Sequence, residues 1–121
     1  MMINTEKKTY DLEERTLRFA KEIIDFTTTL PRTIPNIEII KQVVRSAGSI
    51  GANYIEANEA LSKKDFAMRI KISRKEAKET GYWLKLVQVE YGDIEKKRQE
   101  LVGEASELMK IFGVIVAKTA I

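Results

Sequence analysis

Both prolines of the chain, Pro31 and Pro35, fall in one short stretch, LPRTIPN. Proline removes a backbone donor and turns the residue before it away from helical geometry, so this stretch is a break. The rest of the chain has no such interruption. Apolar residues recur there three and four apart, and no strand-like alternation competes. The pattern predicts an all-α chain of four helices with short connections: an antiparallel up-down-up-down four-helix bundle, one domain over 1–121, with no internal repeat.

The punctuation sets the expected boundaries. Residues 1–10 read as a frayed lead, and Asp11 followed by Glu14 as a helix start. Leu12, Phe19, Ile23, Phe26 and Leu30 then mark one face of a first helix over about 11–30. Asn36 is placed to cap a second over about 37–61, with a seam through Ile37, Ile40, Val44, Ala47, Gly51, Tyr54, Asn58 and Leu61. Ser62 with Asp65 opens a third over about 63–91, whose seam is Phe66, Ile70, Ser73, Ala77, Thr80, Leu84, Val87 and Tyr91. Gly92 reads as its stop and Asp93 as the next cap. The fourth, about 94–119, presents Ile94, Leu101, Ala105, Leu108, Phe112 and Ile115.

The second helix raises a question of its own. Its part RSAGSIGANYIEANEA, residues 45–60, holds two glycines, two serines and two asparagines. Each interior glycine costs roughly 1 kcal/mol against alanine, so something offsets it. We expect Ala47, Gly48, Gly51 and Ala52 to let another helix backbone approach closely. The run IFGVIVA, residues 111–117, is apolar around most of its circumference, while a bundle covers only one face of each helix. Self-association is the expected cover.

Histidine and cysteine are both absent. That removes serine–histidine catalysis, histidine-containing zinc sites, thiol nucleophiles and disulfides. A carboxylate metal site on Glu56, Glu59, Glu76 and Glu79 is the remaining enzymatic option, but Arg45 and Arg69 are placed to neutralise those acids. We expect no enzyme activity, metal or cofactor. The N-terminus has no apolar signal core and no run is long enough to span a bilayer, so a cytoplasmic protein without membrane contact is expected.

Two features of the third helix bear on function. If it runs antiparallel to the second from a turn near Ser62, facing residues have numbers summing to about 124–125 by ideal helical rise. Arg45 then meets Glu79, Ser49 meets Glu76, and Glu56 meets Arg69. With Asn53 and Trp83 these form a polar network or interface, set in a stripe through Asp65, Arg69, Ile72, Glu76, Glu79, Trp83, Leu86 and Glu90. Surface salt bridges of little energetic weight are the plain alternative.

The other feature is charge. Net charge is only +3, so any anionic partner must be read from where the lysines lie. Lys64, Lys71, Lys75, Lys78 and Lys85 fall within an arc of about 80°, nearly opposite the Phe66–Leu84 seam. A solubilising face is the plain reading; a phosphate-binding surface, multiplied in an oligomer, is the sharper one. No ordered set of aromatics accompanies the lysines, so base stacking has no support at this level.

The set Leu30-Pro31, Gln42, Arg45-Ser46-Ala47, Ser49-Ile50, Asn53, Glu56, Asp65-Phe66, Ile70, Glu76-Ala77, Glu79-Thr80 and Trp83-Leu84 resembles the small proteins named after intervening sequences in bacterial 23S ribosomal RNA genes. That group is similar to the accessory proteins of diversity-generating retroelements. The likeness covers about residues 26–90; Tyr54 and Ser73 depart toward larger or more polar groups. It implies an antiparallel four-helix bundle assembling as a homopentamer. For the retroelement relatives it also implies a basic surface binding RNA or DNA and a reverse transcriptase as partner. It brings no catalytic residues.

Overall fold

The computed structural model of the chain describes the backbone of residues 2–90 and 92–119 and the side chains of residues 12–90 and 92–119. The described residues form four helices: α1 (Met2–Thr27), α2 (Ile34–Asn58), α3 (Lys63–Leu86) and α4 (Gly92–Thr119). No strand occurs among the described residues. The core gathers Phe19, Ile23, Ile50, Ile70, Leu84, Leu108 and Phe112, all essentially inaccessible. No helix among the described residues is long and apolar enough to cross a membrane.

Several boundaries differ from the sequence expectation, each for an identifiable reason. α1 begins at Met2 and passes through Asp11, which is therefore no cap. Nothing in INTEKKTY breaks a helix, so an acid pair downstream has no power to start one. α2 is capped by Thr33, whose hydroxyl accepts from the Asn36 N–H at 3.2 Å. Pro35 sits in the first turn, where a missing N–H leaves nothing unsatisfied.

Asn36 does other work. Fully buried, it donates from Nδ2 to the carbonyls of Pro31 (3.1 Å) and Gln88 (2.9 Å) and accepts from the Gln88 N–H (2.9 Å). One side chain thus ties the α1–α2 connection to the α3–α4 connection.

α3 opens as expected, with Ser62 Oγ accepting from the Asp65 N–H at 3.1 Å. It ends at Leu86, not at Gly92, which is instead the first residue of α4. Val87 leaves helical geometry at φ −64°, ψ 142°. The Arg98 guanidinium on α4 donates to the carbonyls of Val87 and Lys85, and Asn36 holds Gln88. Tertiary bonds therefore stop the helix before its glycine. Asp93 and Glu95 lie in the first turn of α4, where acids suit the helix dipole. The proposed seam position Tyr91 lies outside the described residues.

The seams confirm α3 and shift α2. Ile70, Ser73, Ala77, Thr80, Leu84 and Val87 are buried as expected. On α2 the buried stripe is Asn36, Val43, Ser46, Ala47, Ile50, Tyr54 and Ala57. Only Ala47 and Tyr54 are shared with the expected seam. Ile37 and Asn58 are exposed, and Leu61 lies beyond the helix at 99% exposure. The apolar pattern followed Ile37 and Leu61, whereas the real stripe admits small polar groups whose hydrogen bonds are met inside. Tyr54 packs against Phe112 with ring centroids 5.8 Å apart, and the Ser73 hydroxyl donates to the Ile50 carbonyl at 2.9 Å. Both residues that depart from the family pattern are therefore accommodated.

Only one glycine in α2 meets a neighbouring helix of the same chain. A Cβ on Gly51 would lie 2.8 Å from Thr16 Oγ1 and 3.2 Å from Thr16 Cβ, so α1 crosses α2 there. Thr16 is itself buried and donates its hydroxyl to the Leu12 carbonyl at 2.9 Å. Gly48 faces open space and Ala52 is exposed, so neither serves a contact within the chain. Within the IFGVIVA run Phe112 is buried, Ile111, Ile115 and Val116 pack partly on the core, and Val114 is exposed.

α1 and α4 meet over a short stretch, held by charge. Arg15 forms a two-pronged bond to Glu104 (2.7 and 2.8 Å), and Lys97 pairs with Glu22 at 2.7 Å. The Glu104 bond raises the Arg15 pKa above its ordinary value, and the Glu22 bond does the same for Lys97.

Candidate functional site

α3 carries two kinds of polar surface. Toward α2, groups find partners in opposite order along the two helices. The Thr80 hydroxyl lies 2.8 Å from Ser46 Oγ, Ser73 bonds Ile50, and Arg69 Nη1 donates to Asn53 Oδ1 at 3.0 Å. Asn53 in turn donates to the Ser49 carbonyl at 2.9 Å. Arg45 spans Glu76 at 3.6 Å and Glu79 at 3.5 Å.

This network is close to the expected one, with exchanged partners. Arg45 meets Glu79 as expected. Glu76 goes to Arg45, not to Ser49, and Arg69 goes to Asn53, not to Glu56. The observed pairs depart by a few residues from the ideal sum. Glu56, Glu59, Asp65 and Arg69 instead edge an open depression of about 300 Å³ at the α2–α3 turn. Among the described residues no three acidic groups gather closely enough to hold a metal ion.

Two atoms in this stripe stand out. Glu76 Oε1 and Trp83 Nε1 are sealed from solvent without a hydrogen-bond partner. A buried orphan of this kind costs about 1–3 kcal/mol. Glu76 is only 13% exposed in its side chain, whereas Arg45 is 51% exposed and reaches it at a loose distance. Matching within one chain is thus incomplete along the Glu76–Trp83 stretch.

The outward side of α3 is different. Lys64, Lys71, Lys75, Lys78 and Lys85 are all exposed. No carboxylate among the described residues lies within ion-pair distance of any of them. Lys64, Lys71 and Lys75 edge a shallow depression of about 430 Å³ with Met68 and Ile72. Lys78 and Lys85 edge a groove of about 330 Å³ between α3 and α4 with Tyr82, Gly81, Val102 and Met109.

The sequence reading passed over Tyr82. It is 59% exposed, and its ring stands edge-on to Trp83 with centroids 5.1 Å apart. Its spacing held the signal: Lys78, Tyr82 and Lys85 are four and three apart, which puts the tyrosine in the middle of the lysine arc.

The chain matches the family described as 23S rRNA-intervening sequence protein over residues 8–113. It is also similar to a solved structure, a protein of unknown function from the S23 ribosomal protein family of Bacteroides thetaiotaomicron. The two are 30% identical, the match covers 86% of this chain and 96% of that one, and the TM-score is 0.73. No functionally curated protein matches the chain. A likeness that residues 26–90 suggested thus extends over nearly the whole bundle, and the chain belongs to the family of 23S rRNA-intervening sequence proteins.

Proposed function

We propose that this chain is a non-enzymatic accessory protein that binds RNA or DNA through the outward face of α3, without strong sequence specificity. The observation that carries the reading is five exposed lysines on one helical face with no described carboxylate within ion-pair distance of them. Unpaired lysines cost little in water and gain most from a polyanion, whose counterions they release. A polarisation titration of labelled RNA and DNA against rising salt tests it. Affinity should fall linearly in log–log form as salt rises. Absence of binding at low salt overturns the reading.

The acting form in this proposal is a cytoplasmic homo-oligomer of antiparallel up-down-up-down bundles, five chains by family likeness. Gly48 and Ala52, open within the single chain, support it. The opposite order of partners along α2 and α3 supports the topology. Light scattering decides the assembly: a particle of 13.9 kDa at working concentration removes it. Gly48→Leu, harmless to a lone bundle, should dissociate the oligomer.

A second reading is a scaffold for a partner protein, a reverse transcriptase if the retroelement likeness holds. The half-buried Trp83, set in a stripe that mixes charged and apolar groups, favours it. Trp83→Ala should abolish capture of the partner while leaving the oligomer intact; a wild-type chain that retains no partner removes this reading.

A further inference from the structure

The groove between α3 and α4 has features the bundle does not need. Gly81 sits in the interior of α3, where glycine costs roughly what alanine saves. Yet a Cβ there would meet only the Ala105 methyl at 3.8 Å, an ordinary contact. Packing therefore does not demand this glycine, in contrast to Gly51. What its missing side chain does is leave room beside Tyr82 in a groove of about 330 Å³, near the lower end of small-ligand sites.

Tyr82 is the second oddity. Its neighbour on the sequence, Trp83, is half-buried and holds the Tyr82 ring edge-on, while Tyr82 itself stays largely in solvent. Lys78 precedes it by one helical turn and Lys85 follows it by one, and both edge the same groove. The floor is apolar, with Val102, Ala105 and Met109 from α4. An anion alone has no use for that floor, and an apolar side chain alone has no use for the lysines. A flat ring joined to phosphates on either side uses both.

We infer that the α3–α4 groove is a stacking platform for single-stranded nucleic acid, with one base against Tyr82 and the flanking phosphates at Lys78 and Lys85. This rests on the nucleic-acid reading above and narrows it to strands whose bases are unpaired. A duplex keeps its bases stacked internally, so it engages the lysines but not the ring.

The test compares labelled oligo-uridine and oligo-deoxythymidine with RNA and DNA duplexes of equal length, for wild type, Tyr82→Phe, Tyr82→Ala and Gly81→Leu. Wild type should favour single strands. Tyr82→Ala should weaken single-strand binding about five- to a hundredfold, the range for losing one base–aromatic stack, and leave duplex binding unchanged. Tyr82→Phe should bind like wild type, and Gly81→Leu, which fills the groove, should behave like Tyr82→Ala. Wild-type binding to single strands that Tyr82→Ala leaves intact overturns the stacking inference alone. Failure of wild type to bind any strand or duplex overturns the nucleic-acid reading and this inference with it.

Discussion

The two sides of α3 handle polarity in opposite ways. Toward α2, hydroxyls, an amide and two guanidiniums are matched within hydrogen-bond or ion-pair reach, with Glu76 Oε1 and Trp83 Nε1 the exceptions among the described residues. Toward solvent, five lysines stand without acidic partners around an exposed tyrosine. A buried polar group must be satisfied where it sits, so the inner side is answerable to folding. An exposed lysine is satisfied by water, so the outer side is free to answer to something else. The difference separates residues that make the bundle from residues that the bundle merely carries.

That separation is sharpest in stability. Ile70→Ala on the inner side should cost about 2–5 kcal/mol, whereas Lys75→Ala on the outer side should stay within about 0.5 kcal/mol in urea melts. Equal losses at both would break the distinction.

Two glycines in α2 test the same logic one helix away. Gly51→Ala drives a Cβ into Thr16 and should destabilise by about 1–3 kcal/mol in spite of its better helix propensity. Gly48→Ala meets nothing within its own chain and, measured on the dissociated chain, should gain up to about 1 kcal/mol. Calorimetry on the pair gives opposite signs if α1 crosses where it is placed here; the same sign for both contradicts that crossing.

A smaller effect is expected at Thr80→Val, which keeps the shape but removes the hydroxyl beside Ser46. Loss of about 0.5–1.5 kcal/mol is expected by chemical denaturation.

The pH dependence belongs to the other seam and to the core. Burial raises the Tyr54 hydroxyl above its ordinary value of 10.0, and Glu22 raises Lys97 above 10.5. In both cases the folded state binds its proton more tightly than the unfolded chain. Their contribution is therefore complete below about pH 10 and is lost as pH climbs through the folded-state values. Thermal melts should hold steady up to that point and then fall, with Tyr54→Phe falling less steeply. At the acid end, bonding from Arg98 holds the Glu95 carboxyl below its ordinary range, so that contribution fades as pH drops through the folded-state value.

Much of this architecture was legible in the sequence. α3 was readable nearly residue by residue, because its buried positions are apolar or small and its cap is a serine followed by an acid three residues on. α2 was readable as a helix but not in its exact facing. Its buried stripe includes Asn36 and Ser46, which a hydrophobic pattern discounts, since it does not see the carbonyls those groups bond. The end of α3 was the least legible, because tertiary contacts set it: Asn36 on α2 bonds Gln88, and Arg98 on α4 bonds Val87.

The candidate site divides the same way. The lysine arc followed from helical period alone, and Arg45 with Glu79 followed from the register. The exchange of partners at Arg69 did not, because a long side chain has more than one acceptor within reach along the facing helix and the register does not choose between them. Tyr82 was in plain view by spacing but went unread because a single aromatic makes no pattern. Its significance comes from the groove beside it, which requires α4 to be in place.

The most direct test asks whether position, not total charge, governs binding. Lys71, Lys75 and Lys78→Glu reverses the outward face of α3, while Lys21, Lys96 and Lys118→Glu reverses three exposed lysines on other helices. Each set replaces three positive charges by three negative ones, taking the net charge from +3 to −3. Titrated against one labelled RNA at low salt, the first variant should lose binding and its salt dependence, and the second should keep most of both. Equal loss in the two variants, or retained binding in the first, would contradict the account.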